Sequence, residues 1–331
     1  MMKNIKTQIA LNILNRTMHA NMHTHSRPQS IPGFYYYMDR KPMAKITPIL
    51  FDVSLRDGIQ GANPLDYPTN RKLNILRDIC EKQSPAKIEI GSFVSPKVLP
   101  IMSDTEQLFK AIPTIFRHIN KTTNPDIYAL VPNKVGLINA VNCGFTNFSF
   151  ITSVSNAFQL KNTGKNLLHK KLELQEMMNH ISKLTVPVKT KLYISCVNEC
   201  PISGLIDNDI IIHEILSSYG RFDAAEEYDE ICISDTMGTL KYRNFEYIIS
   251  GLLRFGIAKS RISLHLHINR ENEGEAKRIL FACFEKGINR FDVSVISEGG
   301  CSVTMDSSKL KSNMTYDFFY SVLEDYESSS S

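Results

Sequence analysis

Residues 46 to 60 read Ile46-Thr-Pro-Ile-Leu-Phe-Asp-Val-Ser-Leu-Arg-Asp-Gly-Ile-Gln60. A β-rich apolar run, Pro48 to Val53, breaks into charged and small residues, and helical periodicity follows over Arg71 to Lys82. That is the pattern of one strand–helix unit. It recurs to give eight candidate strands: Pro48 to Val53, Ala86 to Ile90, Ile127 to Val131, Asn147 to Ile151, Lys191 to Val197, Glu230 to Ser234, Ile262 to His267 and Arg290 to Val295. Helical patterns between them include Lys134 to Asn142, Leu167 to Ser182, Leu205 to Ser218, Tyr242 to Arg254 and Glu275 to Lys286, and Asp317 to Asp325 would close the series. Repeated β-then-α units imply a parallel sheet, and eight is the number that closes into a barrel. The expected fold is a single α/β (β/α)8 TIM barrel over residues 46–326, with a basic extension at 1–45 and a Ser-rich tail at 327–331. An open doubly wound sheet is the structural alternative, but no GxGxxG turn follows the first strand, which counts against a dinucleotide-binding form.

Composition narrows the function. With 43% hydrophobic and 22% charged residues the chain has the makings of a globular core. No apolar run reaches the length of a membrane span. The formal charge of +4 resides in residues 1 to 38, which hold Lys3, Lys6, Arg16 and Arg27 and no acid; the rest is balanced. A neutral body without a basic stripe argues against nucleic-acid binding. The acid-free extension fits either an organelle transit peptide, hence the mitochondrial matrix, or a disordered extension of a cytoplasmic protein. Seven scattered cysteines read as reduced thiols, and Cys196 and Cys200 as two thiols at a strand end, because no second pair stands at zinc-site spacing.

In a barrel the active site forms where the strands end. The first strand ends at Arg56-Asp57-Gly58, the second at Glu89, the sixth at Ser234-Asp235-Thr236, and the seventh at His265-Leu266-His267; the eighth leads into Ser297-Glu298-Gly299-Gly300-Cys301. Residues two apart on a strand point the same way, with Cβ atoms about 7 Å apart, so both imidazoles can reach one ion. Two imidazoles and a carboxylate suit a divalent cation with open positions for substrate.

Together, Asp52-x-Ser-Leu-Arg-Asp-Gly-Ile-Gln60 and His265-x-His267 resemble the metallolyase superfamily that includes isopropylmalate synthase, homocitrate synthase and 3-hydroxy-3-methylglutaryl-CoA lyase. Glu89-Ile-Gly-Ser-Phe-Val-Ser-Pro-Lys-Val-Leu-Pro-Ile-Met-Ser103 and Gly299-Gly300-Cys301 are similar to the lyase branch in particular. Weaker similarities lie at Val131-Pro132-Asn133, Tyr193 to Pro201 and Ser234 to Gly238, so the resemblance runs from about residue 46 to Asp325.

The resemblance implies Asp57, His265, His267 and Asn313 as ligands of Mg²⁺ or Mn²⁺, Arg56 as stabiliser of enolate charge, Glu89 and Asp235 as substrate-positioning or proton-relay groups, and Cys301 as the proton-transferring thiol. It implies an acyl-CoA substrate and carbon–carbon cleavage to a keto acid and acetyl-CoA: loss of the hydroxyl proton breaks the bond and releases an enolate, which Cys301 protonates. On this view Arg56→Lys leaves metal affinity intact while abolishing turnover. A homodimer is one assembly open to such a chain. Three departures stand out: Ile268 to Gly274 after the paired histidines, the residues around Cys301, and about forty family residues beyond the barrel that this sequence lacks. A condensing synthase of the same superfamily and a catalytically degenerate barrel are the alternatives.

Overall fold

Every expected strand forms, with ends within two residues of the predicted ones: β1 (Ile49–Asp52), β2 (Lys87–Ser92), β3 (Asp126–Leu130), β4 (Asn147–Ser153), β5 (Lys189–Ser195), β6 (Glu230–Asp235), β7 (Ile262–Ile268) and β8 (Arg290–Val293). The structure is a computed structural model describing residues 45–119, 124–218, 228–296 and 312–329. The N-terminal extension before Lys45, Cys301 with its loop, and the last two serines lie outside the described residues.

Each strand pairs in parallel with the next, β8 pairs with β1, and β7 pairs with β8, so the sheet closes on itself. The result is a (β/α)8 TIM barrel. Helices Lys134–Asn142, Leu167–Ile181, Asn208–Ser218, Tyr242–Arg254, Glu273–Lys286 and Tyr316–Ser328 fall where the periodicity places them. Two others, Thr105–His118 and Asn156–Thr163, escape the pattern: Pro113 interrupts the first, and the second is only 8 residues long. No described helix is long and apolar enough to cross a membrane.

The strands alternate in a way that positions the site. Ile88, Ile90, Leu192, Ile194, Ile231, Ile233 and Leu264 join the main apolar core with residues of the surrounding helices. The intervening residues, Lys87, Glu89, Lys191, Glu230 and His265, are also buried, and they meet inside the barrel. Lys87 on β2 reaches Glu230 on β6 at 2.7 Å, and Lys191 on β5 is ion-paired with Asp292 on β8. Neither strand pair is adjacent in the sheet, so these contacts cross the barrel axis. TIM-barrel interiors are usually filled by branched aliphatic side chains. Here ion pairs fill much of that space.

At one point a strand stops earlier than its apolar run predicts. The fifth run extends to Val197, but β5 ends at Ser195, because Cys196 (φ 63°) and Asn198 (φ 102°) adopt left-handed backbone conformations. The chain turns there into a short hairpin, Glu199–Cys200 against Gly204–Leu205.

Candidate metal centre and active site

The turn after β1 carries the acidic corner of the site. The Val53 carbonyl accepts from the amides of Arg56 and Gly58, which tightens residues 53 to 58 over the strand end. Asp52 fastens the turn from below: its carboxylate accepts from the Ser54 amide at 2.9 Å, the Ser54 hydroxyl at 3.0 Å and the Tyr316 hydroxyl at 2.9 Å. Burial pushes the Asp52 carboxyl up to about 6 against these bonds. A Cβ at residue 58 would lie 2.6 Å from the Ser54 carbonyl oxygen and 2.7 Å from Ser294 Oγ, so the close approach requires glycine.

Asp57 divides its two oxygens. Oδ1 is bound by Arg56, while Oδ2 faces His265 Nε2 at 3.6 Å and His267 Nε2 at 3.5 Å. Burial would raise the Asp57 carboxyl, but the Arg56 guanidinium and the two imidazoles hold it well below the usual carboxylate range. Ligand atoms of the three residues lie within 4.8 Å of one another, and all three residues are buried. Each imidazole is anchored by its far nitrogen: His265 Nδ1 meets Asp292 Oδ2 at 3.1 Å, and His267 Nδ1 meets the Asp235 carbonyl oxygen at 3.0 Å. An acceptor behind each ring places the proton on Nδ1 and turns the Nε2 lone pair toward Asp57.

Asn313 lies in the short strand Ser312–Asn313, directly opposite His267 in an antiparallel pairing. Directly opposed residues project from the same face with Cβ atoms about 4.5 to 5.5 Å apart, so the amide shares the face of His267. The Met314 amide donates to the Leu266 carbonyl at 3.1 Å, and the Thr315 hydroxyl caps helix Tyr316–Ser328 by accepting from the Phe318 amide at 3.1 Å, which fixes both sides of Asn313.

Asp57 Oδ2, His267 Nε2 and both polar atoms of the Asn313 side chain are buried without a hydrogen-bond partner. Burying one such group unsatisfied costs about 1 to 3 kcal/mol. All of these except the amide nitrogen can donate an electron pair, and with His265 Nε2 they are ligand types that suit a cation. The donor set of two nitrogens and two oxygens suits a divalent ion such as Mg²⁺, Mn²⁺ or Zn²⁺.

The remaining predicted residues take different places. Arg56, 4% exposed, bridges Asp57 and Glu89 and lies 5.1 Å from the centre of the Tyr193 ring. Because it holds Asp57 directly, Arg56→Lys is expected to weaken metal affinity as well as turnover. Glu89 is fully buried; its Oε2 takes Arg56 and the Tyr193 hydroxyl at 3.4 Å, so it orients the guanidinium from behind. Asp235 lies at the end of β6. Its carboxylate accepts from the amides of Thr239 and Leu240, each at 3.0 Å, and it reaches the site through its carbonyl behind His267. The segment after His267, read as a departure, forms a bonded turn: Asn272 donates to the His267 carbonyl at 2.8 Å and to the Gly238 carbonyl at 2.7 Å.

A cavity opens above this floor. Arg56, Asp57, His265, His267, Ser234 and Thr236 line its polar side, and Val94, Val98, Leu99, Pro132 and Phe158 its apolar side. Sequence reasoning missed Asp292, Lys191 and Tyr193. Their signal was parity: Lys191-x-Tyr193 and Asp292 sit on inward positions of their strands, and Tyr193 and Asp292 both meet His265.

The chain is a closed (β/α)8 TIM barrel whose strand ends gather a carboxylate and two anchored imidazoles, a group that could hold a metal ion. The family model described as HMGL-like matches residues 47–314, and the chain belongs to that family. It is 29% identical over 259 residues to the hydroxymethylglutaryl-CoA lyase of Bacillus subtilis (strain 168), covering 78% of this chain and 79% of that protein. Identity to the mitochondrial hydroxymethylglutaryl-CoA lyase of Arabidopsis thaliana is 25% over 263 residues, or 78% of this chain; the match spans only about half (51%) of that relative. The crystal structure of the Bacillus subtilis HMG-CoA lyase superimposes with a TM-score of 0.72 at 25% identity, covering 87% of this chain and 88% of that one.

Proposed function

We propose that this chain is a divalent-metal-dependent carbon–carbon lyase that cleaves a 3-hydroxyacyl-CoA of the 3-hydroxy-3-methylglutaryl-CoA type into a keto acid and acetyl-CoA. The observation that carries the reading is the convergence of Asp57, His265 and His267 on one buried point at the cavity floor, with the Asn313 amide on the face of His267. Family membership and the relatives' activity on an acyl-CoA point the same way.

Asp57, His265, His267 and Asn313 would hold Mg²⁺ or Mn²⁺, which supplies a Lewis acid that lowers the pKa of a substrate hydroxyl. Arg56 presents a guanidinium to the cavity, fixed by Asp57 and Glu89 and stacked on Tyr193, so its charge needs no reorganisation as enolate oxygen charge develops. Val94, Val98, Leu99 and Phe158 also line the cavity and would receive the carbon skeleton of the substrate. Glu89 and Asp235 act from behind the site, the first on Arg56 and the second on His267. Cys301 is assigned on sequence similarity as the acid that protonates the departing enolate.

Incubation with Mn²⁺ and a panel of 3-hydroxyacyl-CoAs, followed by chromatographic detection of acetyl-CoA, tests the reading. Release of acetyl-CoA from 3-hydroxy-3-methylglutaryl-CoA is expected. Condensation of acetyl-CoA with a keto acid and no cleavage would instead assign the chain to the synthase branch, and metal binding without any turnover would mark a degenerate barrel.

A further inference from the structure

The two histidines at the cavity floor are not equivalent. His267 leans on a neutral peptide carbonyl, that of Asp235, whereas His265 leans on a carboxylate, that of Asp292. Asp292 is itself 2% exposed, and a buried carboxylate at that depth needs a counter-charge. Lys191 provides it. Its ammonium binds Asp292 Oδ1 and lies 3.0 Å from Glu230 Oε1, 3.9 Å from the centre of the Phe51 ring and 4.7 Å from that of Tyr193. Glu230 is held in turn by Lys87 at 2.7 Å and Arg290 at 3.3 Å. A ladder of alternating charges therefore rises through the barrel and ends on the imidazole that faces Asp57.

We propose that Asp292 and Lys191 are positioning residues for metal capture by His265: Lys191 pins one oxygen of Asp292, so that the other accepts the Nδ1 proton of His265 and aims its Nε2 at the site. The inference rests on reading the site as a metal centre. A carboxylate behind a ligating imidazole fixes ring orientation and raises its basicity, and loss of such a partner typically weakens metal binding about 10- to 100-fold. Stability alone gives the pair no comparable role, because buried ion pairs replaced together by neutral groups of similar size are often neutral for folding. Neither residue lines the cavity, so neither is placed to touch substrate.

The test is a calorimetric titration of Mn²⁺ into the intact, metal-free protein, with thermal denaturation of the same samples. The double variant Lys191→Met/Asp292→Asn removes both charges and leaves no lone buried ion. It should melt near the wild type yet bind Mn²⁺ about 10- to 100-fold more weakly, the scale set by loss of an outer carboxylate. Lys191→Arg, which keeps the ion pair, should retain wild-type affinity. As a control, Lys72→Met breaks another buried pair, with Asp104, and should lower the melting temperature without changing Mn²⁺ affinity. Wild-type affinity in the double variant would overturn the inference and leave the metal centre standing, as would an equal loss of affinity in Lys72→Met. A wild-type protein that binds no Mn²⁺ would overturn both.

Discussion

Asn313 stands directly opposite His267 across a two-residue antiparallel pairing, and its amide is buried with neither polar atom hydrogen-bonded. The end of β7 is thus tied to helix Tyr316–Ser328 by a residue whose own hydrogen-bonding capacity is left open. Asn313→Ala should therefore change metal-free stability by less than about 1 kcal/mol, since no formed hydrogen bond is lost. The rise in melting temperature on adding Mn²⁺ should shrink, because stabilisation by a ligand follows its affinity for the folded state. An undiminished Mn²⁺-induced shift in Asn313→Ala would remove this residue from the ligand set.

Metal binding should weaken on acidification, and the window follows from His267. Burial favours its neutral form, but the Asp57 carboxylate facing it prevails and raises its pKa above the ordinary 6.5. A metal must displace that proton, so affinity should begin to fall above pH 6.5 as pH decreases from about 8, the imidazole range. For the metal-free protein the sign is opposite. A raised folded pKa contributes stability below the unfolded value, and that contribution is lost as pH rises through the folded pKa. Titrations of Mn²⁺ from about pH 8 to about pH 5 check the first statement; flat affinity across that range would take the histidines out of the site.

Much of this was legible in the sequence. All eight strands appear as apolar runs, and Asp57, His265 and His267 declare themselves by lying at strand ends in the expected spacing. Asp292 and Lys191 did not, because a charge inside a strand reads as a solvent-facing position, and only closure of the barrel turns that face inward. The backbone contacts of Asp235 were hidden for a related reason. A carboxylate at a strand end can serve the backbone of the next turn as readily as the cavity, and only the position of the Thr239 and Leu240 amides decides between them.

Arg56→Lys should lower turnover by about 100-fold or more, the scale for removing a fixed donor to developing negative charge. Lysine cannot bridge Asp57 and Glu89 with one planar fork, so Asp57 loses its fixed orientation and Mn²⁺ affinity should fall as well. Steady-state kinetics paired with calorimetry would reveal both losses; wild-type turnover would exclude Arg56 from the reaction.

Gly58→Ala should destabilise the fold by about 1 to 3 kcal/mol, the usual cost of forcing a methyl into a packed site. The added carbon would meet the Ser54 carbonyl oxygen and Ser294 Oγ at distances below 3 Å. Chemical denaturation measures it directly, and an unchanged midpoint would show that the turn after β1 is looser than described.

The sequence resemblance alone supports a role for Cys301, and Cys301→Ser should lower kcat by about 100-fold, the ordinary scale of acid–base catalysis, with KM little changed. Protection of the wild type from thiol alkylation by bound substrate is the companion expectation.

The central claim is that the convergent site is a metal centre that cleaves a carbon–carbon bond in an acyl-CoA. It is tested most directly by acetyl-CoA release from 3-hydroxy-3-methylglutaryl-CoA, measured on wild type and Asp57→Ala with Mn²⁺ and after chelation. The account predicts release by the wild type, its loss on chelation, recovery when Mn²⁺ is restored, and none from Asp57→Ala. Release that persists after chelation, or that survives in Asp57→Ala, would contradict it.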